Sequence, residues 1–379
     1  MYNPLTDDTT AFAFTRDSRF EVPKLDIGWE MEVQLFQENG LPVDFEVTRQ
    51  VISQFSNFTC EELYSHCLEI KLPSPVETGT QLLWTAKGLI SQLLAYCHSI
   101  NVAVVFLSST PVQCQLESNP GDYYQKIVSE VFPSQPGDFQ VYGTHLHVNC
   151  PSGELALWTH NQLYRKVWPF LWGLTLNAPF HQGSCSGKPS IRQELRRKFV
   201  LSGDPRRFPD TLEQFKEETQ QAMNLGITPS IRLWTGSGPH PRIGTLECTD
   251  LDNCSLQIQA AIAEILQMIV ICGTFSELPL PEISEFMVAR NALMIESFGS
   301  QAQVFWDDGI VDYQFALLGL VDLLLSKTES VYTPSLSLKQ IISDQFKQGG
   351  TLGEQLLLGY HQESDIFALS TSQNKSILS

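Results

Sequence analysis

The chain has 379 residues, 42% of them hydrophobic, enough for one large domain or two smaller ones and too apolar for wholesale disorder. Only 17% are charged, yet the net charge is −18, which excludes the basic footprint of a DNA- or RNA-binding protein and disfavours docking on anionic membranes. An acidic protein still binds a nucleotide when metal ions carry the phosphate charge.

Residues 1–22, opening MYNPLTDDTTAFAF, read as a loose polar leader unlike a secretory signal. Residues 23–365 read as a single domain, since no repeat or low-complexity linker divides them, and residues 366–379 as a frayed tail. The first strand is Ile27–Phe36, followed by a strand at Cys67–Leu72 and a helix at Thr78–Ser99. Strands at Val102–Leu107 and Val141–Asn149 come next, then a helix at Asn161–Leu176. A helix at Thr211–Met223 precedes a strand at Ile243–Asp250. Helices at Leu256–Thr274 and Tyr313–Leu325 close the series. Trp84, Trp168 and Trp172 fall on helical apolar faces and are expected in the core. GSGPHP reads as a turn, and the basic run KPSIRQELRRK as a helix with Arg196 and Arg197 solvated. The most apolar stretches, MIVICGTF and FALLGLVDLLL, fall short of the ~20 residues that span a bilayer.

Nine cysteines, an odd number without a CxxC pair, suit free and mostly buried thiols in a reducing cytosol, so a cytoplasmic location is expected. Cys185 in GSCSG reads as a plain loop cysteine. Strands and helices mix without strict alternation, and the strands are two-faced. The expected fold class is therefore α+β, with a mainly antiparallel sheet, helices on one side and the other face open.

What the open face carries is the informative feature. In DIGWEMEVQLF, Trp29, Met31, Val33 and Leu35 alternate with Gly28, Glu30, Glu32 and Gln34. Two carboxylates thus stand one strand repeat apart, roughly 6.5–7 Å, on the same side. HCLEIKL sets Glu69 and Lys71 opposite its apolar residues. VYGTHLHVNC does the same with His145 and His147, and RIGTLECTD with Glu247. A single strand glutamate is usually just solvated, and the two histidines read equally well as ordinary hydrogen-bonded ones. Together, though, repelling carboxylates on one face destabilise the fold unless a cation sits among them. Oxygen ligands with one or two imidazoles suit Mg²⁺ or Mn²⁺ better than zinc, because the cysteines lack ligand spacing. Such ions on an open sheet most often serve phosphoryl transfer.

Five segments resemble, in order, motifs of the glutamate–cysteine ligase type 2 family of carboxylate–amine ligases. They are GWEMEVQLF, CLEIKLPSP, GTHLHVNCP, LNAPFHQGSCSGKPSIR and PHPRIGTLECTD. The resemblance implies a twisted, mainly antiparallel sheet forming an open funnel, with helices on its outer side, like the catalytic domain of glutamine synthetase. It implies ATP with Mg²⁺ (or Mn²⁺). The implied chemistry is amide formation through an acyl phosphate, from a small amino-acid-like acid and an amine, with γ-glutamylcysteine as the default product. It places Glu30, Glu32, Glu69, His147 and Glu247 as metal ligands, and Arg192 with Glu247 at the chemistry. His145, Lys71 and Arg242 are assigned to the nucleotide. A homodimer is compatible with all of this.

The sequence departs from the family where anions would be bound. Thr249 stands where the family has arginine after its V-E-V segment, Ser237 or Gly238 where W-D-x-R-P has its arginine, and Ser297 replaces a third. Lys71 replaces an asparagine. Either the acid substrate differs, or Arg196, Arg197, Arg232, Arg242 or Lys71 takes over, or the fold is kept for binding alone. The competing readings are thus an active ligase, an altered or inactive homologue that keeps a metal–nucleotide site, and a metal-dependent hydrolase or amidase.

Overall fold

The computed structural model describes residues 25–131, 140–197, 209–224, 237–240, 244–362 and 365–378. The expected leader, Arg232 and Arg242 lie outside the described residues. The strands are β1 (Ile27–Gln37), β2 (Thr59–Glu61), β3 (Cys67–Lys71), β4 (Val102–Val105), β5 (Thr144–Asn149), β6 (Phe180–His181), β7 (Ser184–Cys185), β8 (Ser237–His240), β9 (Thr245–Leu251), β10 (Gln303–Trp306) and β11 (Gly309–Asp312). The helices are α1 (Phe45–Gln54), α2 (Gly79–Ser99), α3 (Asp122–Val131), α4 (Gly153–Gln162), α5 (Trp168–Trp172), α6 (Arg192–Arg197) and α7 (Leu212–Asn224). They continue with α8 (Leu256–Thr274), α9 (Glu285–Phe298), α10 (Tyr313–Thr328), α11 (Leu338–Lys347), α12 (Leu352–Tyr360), α13 (Ile366–Ser372) and α14 (Asn374–Ile377).

Seven strands make one antiparallel sheet in the order β2–β3–β1–β5–β9–β8, with β4 paired to the end of β1. The turn expected at GSGPHP is corrected over its described residues. Ser237–His240 is β8 itself, an edge strand on β9, where Pro239 is tolerated because an edge leaves one side of the ladder open.

The alternation along β1 is carried into burial. Ile27, Trp29, Met31, Val33 and Leu35 are all buried, while Gly28, Glu30 and Glu32 between them are partly open. Leu68 and Ile70 on β3, Leu146 and Val148 on β5, and Leu246 and Cys248 on β9 join the same apolar side. Helices α2 and α8 pack on it. Trp29 Nε1 donates to Gln259 Oε1 on α8, tying sheet to helix.

Two helices are set by legible local signals. α2 starts at Thr78 with a reciprocal capping box to Gln81, and Ser255 caps α8 by accepting from Ile258 N. α8 is long and apolar enough to cross a membrane, but it lies buried within the protein, packed against α2, α4, α10 and α11. Its buried Glu264 accepts from Gly79 N at 3.0 Å and Ser335 N at 2.9 Å, so its carboxylate caps α2 and pins the loop before α11.

Three expectations are corrected here. The helix expected at Asn161–Leu176 is α4, a π-helical turn at Leu163–Val167 and the short α5. Pro169 has no N–H for the carbonyl four residues back, so the regular ladder cannot run through it. The residues expected to fray form α13 and α14, with Ser370, Gln373 and Ile377 buried. Gln373 and Asn177 exchange amide hydrogen bonds of 2.9 and 3.2 Å, which anchors this end to the body. Trp168 and Trp172 are in the core, but Trp84 is 65% exposed, because α2 turns its apolar stripe through Leu82, Ala86, Leu89 and Leu93 instead.

Candidate functional site

Strand register arranges the open-face side chains in three rows across the sheet. In the first, Cys60 on β2 stands beside Glu69 on β3, which stands beside Glu32 on β1. In the second, Lys71 on β3 faces Glu30 on β1, and Glu30 faces His145 on β5. In the third, Gly28 faces His147, His147 faces Glu247 on β9, and Glu247 faces Gly238 on β8. The glycine in β1 leaves room for the imidazole: a Cβ on Gly28 would lie 3.0 Å from His147 Cβ.

The polar atoms of these rows converge. His145 Nδ1 is 3.3 Å from Glu30 Oε2, and its Nε2 is 3.7 Å from Glu32 Oε1. His147 Nε2 is 3.7 Å from Glu30 Oε2, and its Nδ1 is 3.9 Å from Glu247 Oε2. Both imidazoles therefore touch the carboxylate cluster. Glu30, Glu69 and His145 each bring one ligand atom into a group whose members lie within 4.8 Å of one another. At the β3 end, Glu69 Oε1 accepts from Cys60 Sγ at 3.1 Å and lies 3.9 Å from Lys71 Nζ.

Crowding shows in the protonation equilibria. Burial and the charge of Glu30 push the Glu69 carboxyl up to about 7. Burial acts on Glu30 in the same sense, but hydrogen bonds and charges from His145 and His147 outweigh it and hold Glu30 well below the usual carboxylate range. For His145, burial opposes protonation, while Glu30, Glu32 and Glu69 overcome it and raise its pKa. Oxygen-rich donors with imidazole, and a carboxyl raised by burial and a neighbouring carboxylate, are the chemistry of a divalent-cation site of the Mg²⁺ or Mn²⁺ kind. The residues fit such an ion.

Two groups escaped sequence reasoning. Glu62, just after β2, is pushed well above the ordinary carboxylate value by burial and by the charges of Glu32 and Glu69. Leu63 N holds it at 2.9 Å. The doublet Glu61-Glu62 offered no alternation by which to place it. Tyr124, on α3, donates to Glu61 O at 2.6 Å and feels the charges of Glu62 and Glu69, so α3 stands at the rim of this face. Only tertiary packing brings it there.

The arginines divide. Arg192 is 3% exposed and donates from Nη2 to Thr249 O at 3.0 Å. Its Nε and Nη1 have no hydrogen-bond partner among the described residues. Its guanidinium packs on Gly143, where a Cβ would lie 2.3 Å from Nη2, and Gly143 N donates to Glu32 Oε2 at 2.7 Å. Arg192 thus stands at the margin of the glutamate face. Burial and the neighbouring Arg196 lower its pKa to about 10. Of the two arginines expected to be solvated, Arg197 is exposed and Arg196 is not. Arg196 is buried in an ion pair with Asp250, which also accepts from Tyr164 Oη. Arg197 reaches the buried Glu296 at 2.8 and 2.9 Å. The helix turns Arg196 inward onto a buried carboxylate, while Arg197 stays at the surface and reaches one from there. Cys185 sits in the small β6–β7 hairpin, away from these rows.

Known proteins resemble this chain in sequence and in fold. Residues 26–231, more than half of the chain, match the family model described as Glutamate-cysteine ligase family 2 (GCS2). A protein of Chloroflexus aggregans with the name "Putative glutamate--cysteine ligase 2" is 27% identical over 325 residues, which cover 83% of this chain and 77% of that protein. Among solved structures, a bifunctional glutathione synthetase from Pasteurella multocida superposes with a TM-score of 0.66 at 14% identity. The match covers 93% of this chain and 52% of that one, so this chain spans about half of its length. A glutamate–cysteine ligase from Francisella tularensis, solved in complex with AMP, gives a TM-score of 0.63 at 12% identity, over 94% of this chain and 89% of that one. These two show a shared fold. The motif order, the strand rows and the family match lead to one conclusion: the chain belongs to glutamate–cysteine ligase family 2.

Proposed function

We propose that this chain is an ATP-dependent carboxylate–amine ligase that joins an amino-acid-like acid to a small amine through an acyl phosphate. The observation that carries the reading is the convergence of Glu30, Glu32, Glu69, His145, His147 and Glu247 on one open sheet face. In this reading Glu30, Glu32, Glu69, His147 and Glu247 hold Mg²⁺ or Mn²⁺. Bound ions of this kind supply the positive charge that lets a substrate carboxylate approach the γ-phosphoryl group of ATP. The half-exposed Lys71 and His145 face the nucleotide phosphates, and Arg242 is assigned there too. Arg192 offers its unpartnered Nε and Nη1 to a phosphate or a substrate carboxylate through the guanidinium fork.

A second reading, a homologue that binds metal and nucleotide without turnover, draws on a specific observation. Arg196 and Arg197 are committed to Asp250 and Glu296, so neither replaces a missing family arginine. Incubation with ATP, Mg²⁺ and pooled amino acids, with ADP release measured, separates the two. The ligase reading expects release that depends on an acid–amine pair and is lost in Glu247→Gln. Calorimetric ATP–Mg²⁺ binding without release across a broad panel sinks it in favour of the second.

A further inference from the structure

Lys71 is the one ammonium among the described side chains of the three rows. It is half-exposed, stands across the β1–β3 ladder from Glu30, and its Nζ lies 3.4 Å from Cys60 Sγ and 3.9 Å from Glu69 Oε1. Glu69 is also a member of a group of three converging ligand atoms, with Glu30 and His145. A fixed positive charge therefore sits against the carboxylate that a second divalent ion would share. At the far end of the face, His147 and Glu247 lie across β1 from Lys71 and have no ammonium beside them in the row. Where the family resemblance puts a neutral asparagine after L-E-I, this chain carries its own cation.

We infer that the Lys71 ammonium takes the place of one divalent cation at Glu69, leaving divalent metal to the Glu30–His147–Glu247 end. The inference deepens the proposed function, rests on its reading of the face as a metal site, and takes Glu69 out of the metal ligands named there. Its physical basis is charge balance. A cluster of carboxylates tolerates ionisation only when cations neutralise it, and a lysine whose stem is anchored on β3 does so without leaving. It also repels an approaching divalent ion. At a spacing of about 6 Å, in an effective dielectric between protein and water, that repulsion weakens the adjacent site by about tenfold or more. The site then works with fewer exchangeable ions, and the ammonium remains free to contact a phosphate oxygen on its exposed side.

The test is Mn²⁺ binding, read by electron paramagnetic resonance of free Mn²⁺, with wild type, Lys71→Asn and Lys71→Arg. Lys71→Asn is expected to bind one more Mn²⁺ per chain than wild type, or to tighten the weakest ion about tenfold. Lys71→Arg keeps the charge and is expected to match wild type. Far-UV circular dichroism checks that all three are folded. Equal counts and affinities in the three proteins overturn the inference. An arginine variant that behaves like the asparagine one also overturns it, since charge would then not be the cause. No Mn²⁺ bound by any of them removes the metal reading itself, a result distinct from equal binding by all.

Discussion

Glu69 ties the stability of the metal-free protein to pH in a way that can be worked out. Its carboxyl ionises at about 7 in the fold instead of near 4.5, because burial and Glu30 oppose its charge. The folded state therefore holds this proton more tightly than the unfolded chain does. Folding is unpenalised by Glu69 below the unfolded pKa, and the penalty grows as pH rises through the folded one, reaching about 3 kcal/mol when ionisation is complete. Between about pH 5.5 and about pH 8 the loss is about 2 kcal/mol. His145, whose pKa is raised, adds to the loss as its proton leaves. Glu30 acts the other way, but its lowered pKa gives stability that is present above the ordinary carboxylate value and disappears only in acid, outside this window. The assay is urea unfolding of chelator-treated wild type and Glu69→Gln over this pH range. Their difference isolates Glu69 and should shift by about 2 kcal/mol, with wild type losing ground as pH rises. A difference that stays flat with pH refutes the argument that this cluster is strained without a cation.

Other outcomes follow from the buried charges and the surface. Arg196→Ala takes from the buried Asp250 its ion-pair partner, and should cost about 3–5 kcal/mol in urea unfolding. The double variant Arg196→Met with Asp250→Asn should recover part of that, and a loss under about 1 kcal/mol for the single variant would show the pair to be solvated after all. Trp84→Ala should change stability by no more than about 0.5 kcal/mol in the same assay, because the ring is exposed; a loss of several kcal/mol would return this tryptophan to the core.

Alternation along a strand is a local property, and it was legible. Trp29, Met31 and Val33 had to turn one way and Glu30 and Glu32 the other, whatever the rest of the chain did. The same holds for the start of α2 at Thr78 and the span of α8, where capping and length decide. The membership of the glutamate face, and the family with it, could therefore be read from five short segments. Adjacency could not. That His147 meets Glu247, or that Lys71 faces Glu30, depends on register between strands, which brings together residues as distant in the chain as Glu30 and His145.

Side chains without periodic company were misread for the same reason. Glu62 has no alternation to place it, and Arg196 looks like any solvated helix cation until Asp250 and Tyr164 close over it. Gln373 sits in a polar tail that reads as loose until Asn177 offers it a complementary amide. The sequence alone determined which residues could share a face, because pleat and helix geometry act over a few residues. The tertiary structure decided which of them touch and which charges are buried, because burial and register are settled only when distant segments pack.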